Sequence, residues 1–395
     1  MRSTTSGAYV AEPSAAHGPT PLDRALFPIT ASWSYCNHAA VGPLPRPTRD
    51  AVAAVLDAQM TDGCAGILDV EAHHEAIRAQ TAAAIGADPG DIAFLRSTSD
   101  GALVAANGLH WRPGDEIILS DNEFGANAYP WLNLRDRGVR VRLVRTPHER
   151  LTVQRLERMR TPRTRLVAVS YVSSLDGYRH DLAAIGNWCR SQRILLAVDA
   201  MQGFGPLPLD VSAWQIDLCY FGVAKWLLSP QGLSVFYARP ELVEEMRPAL
   251  CSWRSVQAPM TFFDYGQELA PGARRFEGGT VNYPALIGFR ESLRLHTQAT
   301  FAAIEGHVMY LTDRLVRGAR ERGIEVKSDL TPGARSAIVL LGLAGWQVDE
   351  LDEAARRARV GITVRDSGVR VSPHGYNDEG DIDAVLDLVS AGSKA

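Results

Sequence analysis

The chain has 395 residues, of which 46% are hydrophobic and 22% are charged, so it can bury a substantial core in one or two domains. A formal net charge of −4 without runs of like charge argues against nucleic-acid binding, and no uninterrupted apolar segment reaches membrane-spanning length. Small molecules are therefore the expected partners.

The five cysteines are widely spaced and contain no CxxC pair. This spacing predicts a protein of the reducing cytoplasm without structural zinc, and no bound metal is expected. The cysteines are Cys36, Cys64, Cys189, Cys219 and Cys251.

Residues 1–30 are predicted to form a flexible N-terminal arm. The start of this segment is rich in Ser, Thr, Ala, Gly and Pro. It lacks the apolar stretch that a secretory signal requires.

Residues 31–284 are predicted to form a large domain, because short apolar runs alternate with helix-compatible stretches such as Val153–Met159 and Asp181–Gln192. The runs are rich in β-branched or aromatic residues, which is typical of buried parallel strands. They are Glu116–Leu119, Val141–Val144, Leu166–Tyr171, Ile194–Val198, Leu218–Phe221 and Leu233–Tyr237. The alternation predicts a doubly wound α/β sheet that binds ligands beyond the carboxyl ends of its strands.

Residues 285–395 are predicted to form a smaller α+β domain, joined to the first near residues 282–284. Helical patterns cover about 285–322 and 347–359, and a strand-like Val369–Ser372 precedes a last helix near 377–391.

Lysine occurs only at Lys225, Lys327 and Lys394, and Lys225 stands in the apolar run CYFGVAKWLLSPQG. Because it follows the predicted strand Leu218–Phe221, it should lie at the ligand-binding edge of the sheet. Apolar neighbours would desolvate its ammonium and lower its pKa, which suits a nucleophilic amine. The alternative is a lysine that reaches from the strand end to solvent.

Asp199, in LAVDAMQG, also follows an apolar run. A buried carboxylate requires a cationic partner, and a pyridinium nitrogen would be one. A helix N-cap or a metal ligand are the alternatives. Gln202 could contact the phenolic oxygen of the same ring.

These motifs resemble the class V branch of fold-type I enzymes that use pyridoxal phosphate, the group that contains cysteine desulfurases and isopenicillin N epimerase. The similar segments run from YCNHAAVGPLP at 35–45 to VRVSPHGYN at 369–377, and they include VDAMQGFGPLPLDV at 198–211 and RRFEGGTVNY at 274–283. The resemblance implies the fold-type I transferase fold, pyridoxal 5'-phosphate as cofactor, and a homodimer with a shared active site. Lys225 would bind the cofactor covalently and Asp199 would pair with its ring nitrogen.

The resemblance implies roles for further residues. Asn37 and Arg370 would bind the substrate, with the Arg370 guanidinium suited to a carboxylate. The remaining cofactor contacts would be Thr98 and Ser99 at the phosphate, Phe124 over the ring, Ser174 and Gln202 near the ring oxygen, and Thr280 at the phosphate of the partner subunit. The stretch LRSTSDGA at 95–102 has an alternative interpretation, in which it caps the start of a helix and binds no phosphate.

The chain departs from the family pattern at four places. Ser174 stands where relatives often place an asparagine near the ring oxygen. Gly222 and Ala224 stand where many members have serine and histidine before the lysine. Desulfurases carry a nucleophilic cysteine before the C-terminal arginine, but residues 252–395 contain no cysteine, which argues against a persulfide-forming desulfurase. Cys36, in the N-terminal motif, is expected to be a passive small residue.

The leading hypothesis is a C–S β-lyase that acts on a cysteine S-conjugate in a natural-product pathway such as antibiotic biosynthesis. One alternative is decarboxylation with oxidative deamination of an S-conjugated cysteine, as in lincosamide biosynthesis, and another is amino-acid epimerisation. The non-enzymatic alternatives are a regulator with this fold, for which no DNA-reading module is found, and a structural homologue.

Overall fold

The computed structural model describes residues 20–63, 65, 70–146 and 150–394. Residues 1–19 of the predicted arm and Cys64 lie outside this part. None of the helices within it is both long and apolar enough to cross a membrane.

The structure is built from short strands and longer helices. The strands are β1 (Ser34–Tyr35), β2 (Ile92–Leu95), β3 (Glu116–Ser120), β4 (Arg140–Val144), β5 (Thr164–Ser170), β6 (Leu195–Asp199), β7 (Leu218–Gly222), β8 (Ser234–Ala238), β9 (Val339–Leu341), β10 (Val360–Gly361), β11 (Thr363–Arg365) and β12 (Gly368–Val371). The helices are α1 (Arg46–Asp62), α2 (Val70–Ile85), α3 (Thr98–Gly108), α4 (Gly125–Leu132), α5 (Val153–Met159), α6 (Leu182–Gln192), α7 (Pro240–Glu245), α8 (Tyr283–Ala299), α9 (Phe301–Glu321), α10 (Val348–Ala358) and α11 (Glu379–Ser390).

A seven-stranded sheet forms the large domain, in the order β2-β8-β7-β6-β5-β3-β4. The neighbours β7, β6, β5, β3 and β4 run parallel, as the alternating pattern predicts. Helices capped by their own sequence connect several strands. Asp181, for example, accepts the N–H of Ala184 at the start of α6.

The prediction that Leu233–Tyr237 is a parallel strand is wrong. This segment forms β8, which runs antiparallel to both β7 and β2. Residues 223–233 join β7 to β8 without a helix, and a connection of this kind brings the chain back beside β7 in the opposite direction, because parallel neighbours need a longer crossover. The turn-back also places Lys225 at the edge of the sheet.

The smaller domain contains the antiparallel sheet β11-β12-β9 and the helices α9, α10 and α11. The parallel pair β1 and β10 ties the N-terminal segment to this domain. Residue 36 belongs to its apolar core, since the Cys36 side chain is buried with Leu311, Val371 and Ile382.

The described end of the predicted arm is packed rather than loose. Phe27 is buried and its ring stacks on Tyr376 at 3.9 Å between centroids. Arg24 forms a salt bridge of 2.7 Å with Asp381. Apolar burial and a partly buried ion pair therefore hold residues 22–27 in place, because Phe27 and Tyr376 belong to the apolar cluster of the large sheet and Asp381 lies on α11.

Helix α8 packs with the large sheet, although the sequence placed it at the start of the smaller domain. Leu286, Phe289 and Leu293 on α8 are buried in the same apolar cluster as Val198 and Phe221 of the sheet. The smaller domain's own core begins on α9, at Leu311. The change from one core to the other thus lies later in the chain than residue 284.

Candidate active site

Three of the predicted site residues, Asp199, Lys225 and Thr98, lie at the carboxyl edge of the large sheet. Asp199 is the last residue of β6, and Lys225 follows the adjacent strand β7 by three residues. Thr98 begins α3, directly after β2, which runs in the same direction as β7 because both are antiparallel to β8. The carboxyl ends of these strands therefore present their side chains to one space.

Lys225 is largely removed from water. Burial lowers its pKa from the ordinary 10.5 to about 8, and the charges of Arg370 and Arg365 act in the same direction, while Asp199 opposes them. Its Nζ lies 5.6 Å from the centre of the Phe124 ring. The Phe124 side chain is 59% exposed, so one face of the space beside the amine is an open aromatic surface.

The backbone around Lys225 is held by the N-terminal motif and by histidines. Gly42 donates its N–H to Ala224 O at 3.0 Å. A Cβ at Gly42 would lie 2.1 Å from Lys225 O, so only glycine permits this approach. Nε2 of His374 donates to Trp226 O at 2.8 Å, since Nδ1 of His374 accepts the N–H of Gly375.

Asp199 is a buried carboxylate that forms no salt bridge in the described part of the chain. It is 4% exposed and accepts the N–H of Met201 at 2.8 Å. Burial raises its pKa to about 7; the Met201 N–H and Lys225 lower it, and Glu123 raises it further. The alternative of a helix N-cap is excluded, because turns and no helix follow Asp199. No group of three or more His, Cys, Asp or Glu suited to a metal ion occurs in the described ranges.

Gln202 is fixed by two hydrogen bonds. Its Nε2 donates to Ala39 O at 3.0 Å, and its Oε1 accepts the indole N–H of Trp226 at 2.8 Å. The side chain is buried and oriented next to the Lys225 loop. A contact with a ring oxygen stays a prediction.

The start of α3 is capped by Ser97, whose side chain accepts the N–H of Asp100 at 3.1 Å. Thr98 and Ser99 are the first two helical residues, where backbone N–H groups have no intrahelical acceptor. Thr98 is buried and Ser99 is exposed. Because Ser97 does the capping, the hydroxyls of Thr98 and Ser99 are not needed for it.

Met201 joins the ends of β6 and β7 to α3. Its sulfur accepts the N–H of Gly222 at 3.2 Å and the hydroxyl of Thr98 at 3.6 Å. The sequence did not indicate which group takes the place of the family's serine side chain at position 222. In the structure, the Met201 thioether lies beside Gly222 and contacts Thr98.

Arg370 is 6% exposed and forms no salt bridge with a described carboxylate. It donates to Ser174 O at 2.7 Å and to Thr363 Oγ1 at 3.4 Å, and its Nε has no hydrogen-bond partner. The Thr363 hydroxyl donates to Asn37 Oδ1 at 2.7 Å. Burial, followed by the charge of Arg365, lowers the pKa of Arg370 to about 10. The predicted substrate residues Asn37 and Arg370 are thus brought together, and Ser174 contacts Arg370 through its carbonyl.

Two charged residues near the site were not identified from the sequence. Arg365 ends β11 opposite Gly368 of β12 and acts electrostatically on Lys225. The alternation of VRDSGVRV, with its tight turn, was the signal for this hairpin. Glu123, the residue before Phe124, acts on Asp199, and no sequence pattern connects these two acids.

The remaining candidates lie apart from this cluster or bury their reactive atom. Burial raises the pKa of the Cys36 thiol, and this side chain lies in the core of the smaller domain. Cys189 and Cys219 are also buried, while Cys251 is exposed. Thr280 is exposed, and its contact with a partner subunit stays a prediction.

Sequence comparison identifies a family and several relatives. The sequence model of the family described as Aminotransferase class-V matches residues 64–385. The uncharacterized aminotransferase YcbU of Bacillus subtilis is 25% identical over 93% of this chain and 96% of its own length. A probable cysteine desulfurase of Methanothermobacter thermautotrophicus is 28% identical over 73% of each chain.

Solved structures share the fold. The cysteine desulfurase CsdA of Escherichia coli matches with a TM-score of 0.83 and 25% identity over 94% of this chain and 97% of its own. C-DES, a cystine C–S lyase solved with its reaction product cysteine persulfide, matches with a TM-score of 0.85 and 24% identity over 92% of this chain and 99% of its own. A lysine variant of C-DES was solved with glycine covalently linked to its pyridoxal phosphate. The fold-type I transferase fold expected from the sequence is confirmed.

Proposed function

The chain belongs to the aminotransferase class-V family, and from that premise we propose that it is a pyridoxal-phosphate-dependent lyase that cleaves the C–S bond of a cysteine S-conjugate. The observation that carries the proposal is the two-residue turn between β11 and β12, in which this chain has no cysteine that could accept sulfur beside Arg370.

The residues at the carboxyl edge fit the cofactor. Asp199 is buried and forms no salt bridge with the residues that the structure describes, although the charge of Lys225 acts on it. A protonated pyridine nitrogen would supply a direct cationic partner. The first N–H groups of α3, at Thr98 and Ser99, would hold the phosphate. Lys225 would bind the cofactor covalently, and the exposed face of Phe124 would pack on its ring.

The substrate would be held through its carboxylate. Arg370 is buried, and among the residues that the structure describes it has no acidic partner and its Nε has no hydrogen-bond acceptor. A bidentate carboxylate would satisfy these donors and neutralise the charge. Asn37, connected to Arg370 through Thr363, would orient the same end of the amino acid. The α-carbon would then face Lys225.

Lys225 would move the proton of the reaction. In the cofactor-free chain, burial lowers the pKa of this amine to about 8, which favours its neutral form. Once the substrate's amino group has replaced Lys225 on the cofactor, the freed amine would accept the α-proton. When bound, pyridoxal phosphate accepts the electron pair left at the α-carbon. The C–S pair leaves with the thiolate, a proton returns to sulfur, and one water converts the released 2-aminoacrylate to pyruvate and ammonium.

The hairpin β11-β12 supports elimination over transfer of sulfur to the enzyme. Arg365 pairs with Gly368, so only residues 366 and 367 form its turn. Gly368 has a φ of +134°, and a Cβ there would lie 2.1 Å from Leu341 O. Residues 363–371 contain no cysteine, and from this hairpin the charge of Arg365 acts on Lys225. The sulfur would leave with the substrate fragment, as the name of C-DES describes for cystine.

The decisive assay incubates the cofactor-loaded protein with cystine and with S-alkyl and S-aryl cysteines, and follows products by mass spectrometry. Thiol or persulfide, pyruvate and ammonium should form together, and Lys225→Ala should form none. Release of carbon dioxide with sulfur retained would replace this proposal with decarboxylative oxidation. Deuterium uptake at the α-carbon without cleavage would replace it with epimerisation.

We further propose a homodimer in which Thr280 reaches the phosphate bound by the partner subunit. The exposure of Thr280 leaves it available for such a contact. Light scattering should give twice the chain mass of 43.0 kDa, and Thr280→Ala should weaken cofactor binding without abolishing folding. That the substrate belongs to a natural-product pathway stays a prediction.

A further inference from the structure

A second carboxylate, Glu123, is anchored beside Asp199. It precedes α4, and its Oε1 accepts the N–H of Ser170 at 2.9 Å. Its Oε2 accepts the hydroxyl of Ser170 and the side-chain N–H of Asn127, the latter at 2.9 Å. Three donors therefore converge on one acid, which is the arrangement that stabilises an ionised carboxylate.

The strand register links this network to Asp199. Ser170 on β5 and Tyr220 on β7 are the direct neighbours of Asp199 across the sheet. Directly paired residues project from the same face of a sheet. Ser170 binds Glu123, and the Tyr220 hydroxyl donates to Asn127 Oδ1 at 2.5 Å. Both flanks of Asp199 are thus connected to Glu123.

The charges around the two acids are unequal. Burial raises the pKa of Glu123, and its bonds to Ser170 and Asn127 oppose this. Besides Glu123, the titratable groups near Asp199 are Lys225, which acts on it, and Tyr220 and Cys219 on the adjacent strand β7. Only Lys225 among them carries a positive charge. A cation placed against Asp199 would therefore be attracted by a pair of carboxylates rather than by one.

We propose that Glu123 is a positioning residue that acts through Asp199 to keep the pyridine nitrogen of the cofactor protonated. The hydrogen bonds of Glu123 fix Ser170 and Asn127 and thereby the surroundings of Asp199. Its negative charge strengthens the negative electrostatic potential at Asp199, where the ring nitrogen would bind. The inference rests on the proposed cofactor site.

The test is a pH titration of the ring nitrogen by NMR with nitrogen-labelled pyridoxal phosphate, together with the cofactor dissociation constant. Glu123→Gln keeps the shape but removes the charge. It should move the ring-nitrogen titration to lower pH and weaken cofactor binding by roughly threefold to tenfold. Glu116→Gln is the matched control, because Glu116 lies at the opposite end of β3, where it accepts the Thr161 hydroxyl at 2.8 Å. It should leave both values unchanged.

Further variants separate charge from structure. Glu123→Asp keeps the charge in a shorter side chain, so it should titrate close to the wild type. In an Asp199→Asn background, Glu123→Gln should have little additional effect. A full effect in that background, or an Asp variant that titrates like the Gln variant, would overturn the proposal.

The outcomes also separate this inference from the proposed function. If the wild-type protein binds no pyridoxal phosphate, the proposed function fails and this inference fails with it. If the wild type binds the cofactor and Glu123→Gln titrates as the wild type does, only the inference about Glu123 is wrong.

Discussion

Met201 occupies the space beside Gly222 that a larger side chain would need. A Cβ on Gly222 would lie 3.2 Å from both the sulfur and the methyl carbon of Met201, and 3.1 Å from the Thr98 hydroxyl oxygen. Many members of the family carry serine at this position. A serine side chain at position 222 and the Met201 side chain would therefore compete for the same space at the start of α3.

Gly222→Ser should destabilise the protein by about 1 kcal/mol, because the new side chain must displace the thioether. In a Met201→Ala background the same change should cost less and should improve phosphate binding, since the hydroxyl then has room. Urea unfolding and cofactor titration of the two single variants and the double variant measure this coupling. Equal costs in both backgrounds would contradict the assignment.

Gly42→Ala should displace the Lys225 loop, because its Cβ would lie 2.1 Å from Lys225 O. We expect a loss of about 2 kcal/mol or more in stability and weaker cofactor binding. Gly90→Ala is the control, since nothing lies within 4 Å of a Cβ there, and it should change stability by less than about 0.5 kcal/mol. Similar behaviour of the two variants would show that the approach of Gly42 is unimportant.

Arg370→Lys should raise KM by roughly tenfold or more and affect kcat less, because an ammonium cannot replace the bidentate guanidinium. Steady-state kinetics with an active S-conjugate would measure both constants. An unchanged KM would remove Arg370 as the carboxylate-binding residue.

Arg365→Ala should shift the pH profile of the reaction to higher pH. Arg365 is one of the charges that lower the pKa of Lys225, so its removal raises that pKa and delays formation of the neutral amine. The profile of kcat/KM against pH reports this, with Arg357→Ala on the exposed face of α10 as a control. A profile that stays in place would mean that Arg365 does not influence the lysine.

Lys225→Met should stabilise the cofactor-free protein at neutral pH. The folded-state pKa of Lys225 is about 8 and its ordinary value is 10.5, so below pH 8 the fold carries the full cost of a poorly solvated ammonium. This unfavourable contribution to the free energy of folding falls as the pH rises from 8 to 10.5, and it is absent above pH 10.5. The difference in Tm between the variant and the wild type should shrink over this range, whereas Lys327→Met should produce no such trend.

The strands β3 to β7, and the positions of Asp199 and Lys225 at strand ends, could be predicted because they depend on local patterns. Short apolar runs identified β3 to β7, and the positions of Asp199 and Lys225 at strand ends followed from the alternation with helices. The direction of β8 could not be obtained in this way, because its apolar run is compatible with either orientation and the connection after Lys225 decides between them.

Contacts between segments that are far apart in the chain could not be predicted from the sequence. The link from Glu123 to Asp199 requires β3, β5 and β6 to be adjacent, and the role of Met201 requires β6, β7 and α3 to meet. Helix α8 follows the predicted boundary in the chain but packs on the large sheet through Leu286 and Phe289. Its amphipathic pattern indicates a buried face without saying which core covers it.

The most direct test of the central claim is the ratio of products formed by the cofactor-loaded protein from an S-conjugated cysteine. We predict thiol and pyruvate in equal amounts with the wild type and neither with Lys225→Ala, although that variant should still bind pyridoxal phosphate non-covalently. A conjugate that stays intact after prolonged incubation with protein that has the visible absorption of bound cofactor, across alkyl, aryl and disulfide conjugates, would contradict the C–S lyase assignment.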